Sequence, residues 1–230
     1  DKALELAPDS PEVHPSRGLY FSRPGQFDKA RREFDKFVEL EPWRAENYFA
    51  RGKFLAGRRR FDEALADFSK AIELKPAYAK AYCYRGILYR TRLRNEEAVA
   101  DFNMALELRP DYATAYAARA YAYRDMNRPE DAVADLDKVV ELEPLRADRH
   151  YDRGIMLGRL NRLEPALKDF NKAIGLDPGV PEFYQARGLV YEMQGKKALA
   201  RAEAEKALEL KTLNAGKPAG PGKGKNETPE

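Results

Sequence analysis

Few side chains in this sequence could do chemistry near neutral pH. The candidates are two histidines, His14 and His150, and one cysteine, Cys83. A histidine could act as a base or a metal ligand, and a cysteine as a nucleophile, but each needs partners at suitable spacing. Both histidines fall on positions that otherwise hold Tyr48, Tyr82, Tyr116 and Tyr184, so they read as packing substitutes. Cys83 has no histidine near it in the same pattern, and a lone cysteine excludes an internal disulfide or a cysteine-based zinc cluster. Acidic pairs such as Glu96-Glu97 stand where helices start and face solvent. Each Arg-Gly pair lies within a helical stretch and not between strand and helix, so the glycines build no phosphate-binding loop. No enzyme, metal or cofactor is expected.

Two columns of charge are more regular. Arginine recurs as Arg17, Arg51, Arg85, Arg119, Arg153 and Arg187, and an acid as Glu33, Asp67, Asp101, Asp135, Asp169 and Glu203. Arginines alone could form an anion-binding ladder. If each arginine and acid stand level on antiparallel helices, a bridge between the helices accounts for both columns. A partly buried bridge that loses one partner costs up to ~3–5 kcal/mol.

The elements that must place these residues repeat. Prolines fall at 8, 42, 76, 110, 144 and 178, always 34 apart, which is the mark of a stacked repeat. Six units follow at 11–44, 45–78, 79–112, 113–146, 147–180 and 181–213. Residues 1–10 match the end of a unit's second helix, and 214–230 form a Gly/Lys/Pro tail expected to be disordered. In the third unit Tyr82, Arg85, Gly86 and Tyr89 have the i, i+3, i+4, i+7 spacing of an amphipathic helix from Ala79 to about Arg92. A second helix runs from Glu96 to about Leu108 and carries Ala98, Phe102 and Ala105. Gly86 should face Phe102. Asn127, Asn161 and Gly195 occupy the breaks, where left-handed backbone is needed. The hydrophobic fraction of 43%, with no run near the ~20 residues that span a bilayer, argues against membrane insertion. A net charge of +3 gives no electrostatic case for nucleic acid. The single cysteine fits a reducing compartment such as the cytoplasm, although the sequence opens at Asp1 and leaves room for an upstream segment.

The period, paired helices, small residue in the first helix, second-helix alanines and closing proline together make the chain resemble the tetratricopeptide repeat family. The resemblance implies an all-α, right-handed superhelical solenoid of helix-turn-helix units. It also implies a concave surface, lined mainly by first helices, that binds a peptide or protein without catalysis. The arginine columns depart from the family's apolar residue before the glycine, and Ala120 replaces the fourth glycine. The family's two-carboxylate clamp and asparagine ladder are not matched.

First-helix residues not used for packing are the candidate groove: Phe49, Lys53, Tyr84, Ile87, Arg90, Tyr121, Arg124, Tyr151, Ile155 and Arg159, with Cys83 on the same face. Aromatic and aliphatic side chains edged by arginine have the composition of interaction hot spots. Ile87, Tyr121 and Ile155 could instead pack on the neighbouring unit. On the groove reading, Phe49, Tyr84, Tyr121 and Tyr151 anchor a partner segment, and Arg90, Arg124 and Arg159 meet its acidic groups. Alternatives are self-association through uncapped ends, or a targeting part of a larger enzyme or secretion complex.

Overall fold

The computed structural model describes residues 27–215, and among these there are eleven α-helices and no strand. The chain divides into two compact bodies, with the boundary after Tyr112. The first holds α1 (Phe27–Leu40), α2 (Ala45–Gly57), α3 (Phe61–Leu74), α4 (Ala79–Thr91) and α5 (Asn95–Leu108). The second holds α6 (Ala113–Asp125), α7 (Pro129–Leu142), α8 (Ala147–Arg159), α9 (Leu163–Leu176), α10 (Pro181–Met193) and α11 (Lys197–Ala215). From α2 onward the helices pack as pairs: α2 with α3, α4 with α5, α6 with α7, α8 with α9 and α10 with α11. Residues 1–10, the first helix of the 11–44 unit and the tail beyond Ala215 lie outside the described residues. The final helix passes the expected end at 213, because Thr212 replaces the closing proline and keeps the N–H that proline lacks.

Two devices close the pairs, the first of them in α2/α3, α4/α5 and α8/α9. The first is a glycine opposite a ring. A methyl group on Gly86 would lie 2.7 Å from Phe102 Cε1; at Gly52 it would lie 2.8 Å from the Phe68 ring, and at Gly154 2.7 Å from that of Phe170. The bare backbone lets the ring fill the contact, as the large and small positions require. The second device is the turn. Residues 59, 93, 127, 161 and 195 all have left-handed backbone, with φ between 55° and 73°. In each, the next residue's N–H bonds back to the carbonyl four residues before the turn residue: Arg60 to Leu55, Arg94 to Tyr89, Arg128 to Tyr123, Arg162 to Leu157 and Lys196 to Tyr191, at 2.8–2.9 Å. This satisfies a carbonyl that the helix end leaves open. Asn127, Asn161 and Gly195 suit that backbone; Arg59 and Leu93 take it without such help.

The core of the first body gathers Phe34, Phe54, Leu55, Phe68 and Ala71, and that of the second Leu136, Val139, Met156, Phe170 and Val190. Asn47 is fully buried and donates to the carbonyls of Phe37 and Glu41 at 3.0 and 3.1 Å, closing the end of α1.

Candidate functional site

Among the described residues the charge columns are bridges, and Arg17 of the first pair lies outside them. Arg51 donates to both oxygens of Asp67 at 2.9 and 2.8 Å, Arg85 to Asp101 at 2.7 and 2.8 Å, Arg119 to Asp135 at 2.8 and 2.6 Å, and Arg153 to Asp169 at 2.7 Å twice. Arg187 holds Glu203 at 2.7 Å. The four aspartates are buried, and their hydrogen bonds are the largest cause holding these four arginines above the usual guanidinium pKa. Burial raises the Asp135 carboxyl, and the bidentate bonds and charge of Arg119 oppose that rise. Tyrosine rings flank the guanidinium groups, with Arg85 5.6 Å from the centre of Tyr82 and 5.8 Å from that of Tyr89.

Four of these arginines also reach backward, a feature missed in the sequence. Arg51 Nη1 bonds Asp35 at 2.9 Å, Arg85 bonds Ser69 at 3.1 Å, Arg153 bonds Asp137 at 2.9 Å and Arg187 bonds Asn171 at 2.6 Å. One guanidinium therefore straps its own helix pair and ties it to the preceding second helix. The signal was present: residues 35, 69, 103, 137 and 171 are all polar and all 34 apart.

His150 is the packing substitute expected. It is buried and its Nε2 contacts the Pro144 carbonyl at 2.9 Å, while the Tyr184 hydroxyl donates to the matching Pro178 carbonyl at 3.1 Å. Cys83 is also buried, not on an open face, and burial pushes its thiol up to about 12, far from a nucleophile's range.

The candidate groove residues divide. Phe49 is buried, which corrects its place as a surface anchor: its ring lies 5.7 Å from Phe68, 5.1 Å from Tyr78 and 5.2 Å from Tyr84. This column of the first helix points into the seam between neighbouring pairs, where a large ring is absorbed. Tyr84 is half-buried, and burial pushes its hydroxyl up to about 12. Lys53 lies over it at 5.2 Å, with an ammonium lowered by burial. Ile87 and Arg90 are half-buried on α4.

In the second body, Tyr121, Arg124, Tyr151 and Ile155 line one cavity of about 160 Å³ together with Ala120, Leu136, Asp152 and Met156. Arg159 is exposed further along α8 and is not part of the lining. The Tyr121 hydroxyl donates to Asp152, so Tyr121 both packs on the next pair and walls the cavity. Arg124 stacks 5.1 Å from the Tyr121 ring and pairs with Asp125 at 2.9 Å. Tyr151 leans on Phe183 at 5.1 Å. Burial, the largest influence, raises the Asp152 carboxyl above its ordinary range. The cavity has a visible origin. Ala120 and Leu136 stand where the α2/α3, α4/α5 and α8/α9 pairs have glycine and phenylalanine, and the shorter leucine leaves the space that a ring would fill.

Among the described residues no helix is long and apolar enough to cross a membrane. The chain matches no curated protein sequence significantly. Among solved structures it is similar to PilF of Pseudomonas aeruginosa, at 17% identity and TM-score 0.75 over 90% of this chain and 93% of that one. It is also similar to YrrB, described as a TPR protein with an unusual peptide-binding site, at 24% identity and TM-score 0.68 over 79% and 96%. A third likeness is to MamA from Desulfovibrio magneticus RS-1, at 22% identity and TM-score 0.70 over 74% and 96%. These likenesses are of fold, an all-α solenoid. Models of the tetratricopeptide repeat match residues 79–112, 117–181 and 157–218, and a TPR repeat model matches 58–91. With the helix pairs and their period already in view, these matches establish that the chain belongs to the tetratricopeptide repeat family.

Proposed function

We propose that the chain is a non-catalytic interaction scaffold that binds a peptide or protein segment along its first helices. The observation that carries this reading is the convergence of Tyr121, Arg124, Tyr151 and Ile155 on one cavity whose lining is largely apolar. Pockets of this kind, with a few placed polar groups, are where ligands and partner side chains bind. The peptide-binding site described for YrrB supports it by analogy of fold. The test is a random-peptide display on the folded chain. Captured peptides should be lost from a Tyr84/Tyr121/Arg124 triple-alanine variant that keeps its helical far-UV signal; unchanged capture moves the site elsewhere.

Self-association is a second reading, favoured by an exposed apolar position on α11. Leu208 is 64% exposed, whereas Leu106, 102 residues earlier in the same column, is 7% exposed. Sedimentation at rising concentration decides it: a constant monomer mass removes this reading.

A further inference from the structure

We infer that the cavity between Tyr121 and Tyr151 is a single-side-chain anchor. It takes a phenylalanine or leucine of an extended partner segment, and Asp152 accepts a backbone N–H from that segment. The inference rests on the scaffold reading and specifies what enters it.

The argument begins with the exchange at Ala120 and Leu136. In the α2/α3, α4/α5 and α8/α9 pairs, a ring occupies the space above a glycine. In α6/α7 the Ala120 methyl stands in the way of such a ring, and Leu136 is too short to replace it. The hollow that results is lined by the buried Ala120, Leu136 and Met156, by the half-buried Tyr121, Tyr151 and Ile155, and by Arg124 and Asp152. Its volume of about 160 Å³ is close to that of an apolar cavity of ~150 Å³ that accepts benzene. A phenyl or isobutyl group is of a size to fit. The chain thus leaves out one ring of its own repeat, and a ring or branched group from outside can complete the packing.

The polar side of the cavity narrows the occupant further. Tyr121 fixes Asp152 through one hydrogen bond, and a carboxylate retains further acceptor sites. An acceptor beside an apolar hollow suits an N–H, and Arg124, the cation in the lining, is already paired with Asp125 and so adds little pull on an acidic side chain. An extended peptide supplies both the side chain and the N–H, which favours it over a free acid or an anionic ligand.

The same peptide display tests this with one added variant, A120G/L136F. It restores the glycine–phenylalanine pair used elsewhere in the chain and fills the hollow. Its melting temperature should stay within a few degrees of wild type. The peptides captured by wild type should share a phenylalanine or leucine at one position. A synthetic consensus peptide should bind roughly tenfold or more weakly when that residue becomes alanine. Filling the cavity should cost a similar factor, and the two losses should not add. Captured peptides that lack the shared residue, or that bind A120G/L136F as well as wild type, overturn the anchor and leave the scaffold standing. No captured peptide at all overturns both. Should the variant fail to fold, N-acetyl-phenylalanine amide titrated into wild type provides the decision. A saturating shift of the Met156 methyl resonance, absent with N-acetyl-glutamate amide, supports the anchor; no shift overturns it.

Discussion

Leu93 and Asp152 each sit in a place that disfavours them, and both are open to single substitutions. Leu93 is 82% exposed with φ 61°, a backbone that costs an ordinary residue about 1 kcal/mol or more and that asparagine adopts readily. Leu93→Asn copies Asn127 and Asn161 and removes no packing, so urea unfolding should show a gain of about 0.5–1 kcal/mol. Asp152 has its carboxyl raised by burial, so between its unfolded and folded pKa values the folded chain holds a proton that the unfolded chain has released. The stability tied to that proton is present below the ordinary aspartate pKa of about 3.9 and is lost as pH rises through the raised folded value. Asp152→Asn does not titrate. Its melting temperature should therefore rise relative to wild type between about pH 4 and pH 7, and a constant difference would show that burial does not disfavour the charge. At this scale the turn asparagines were legible because left-handed backbone selects few residues. Phe49 was not: periodicity gives a helix face, but a face at a seam between pairs can be absorbed by a neighbour.

For the helix pair, the arginine straps are the defining element. Asp101 is 5% exposed and accepts two bonds from Arg85, so Asp101→Ala leaves a largely buried cation without its main acceptor. The expected loss is about 3 kcal/mol. The double variant Arg85→Met/Asp101→Leu removes both charges and should lose much less, because a buried pair replaced by apolar groups is often neutral. Equal losses in the two variants, measured by denaturant unfolding, would mean that the strap acts through packing alone. The forward half of the strap was readable from two columns changing together. The backward half was not, because its acceptors vary among Asp35, Ser69, Asp137 and Asn171 and share only polarity. The cavity was half legible. Ala120 stood out as a missing glycine, but its meaning depended on Leu136 as well, and only the structure shows the space that the two leave.

For the molecule as a whole, stability in a repeat array is a sum over local interfaces, so it falls where a helix buries few side chains. In α11 only Ala207 is buried, whereas α9 buries Ala166, Leu167, Asp169, Phe170 and Ala173. Amide hydrogen exchange should therefore be faster along Lys197–Ala215 than along Leu163–Leu176, reporting local opening well below the global free energy. Equal protection would show that something covers α11 in solution. The 34-residue period made the architecture plain from the sequence, because every unit repeats the same solution to the same packing problem. The double reach of the arginines has a consequence for how such a chain can change in length. A guanidinium that bonds sixteen residues ahead and sixteen behind leaves no slack on either side. A one-residue insertion in any turn would break two bonds at once and carry the rings off their glycines. A whole unit carries a donor and both acceptors, so it can be copied in or deleted with every bond re-formed. The chain is tolerant of duplication and intolerant of drift.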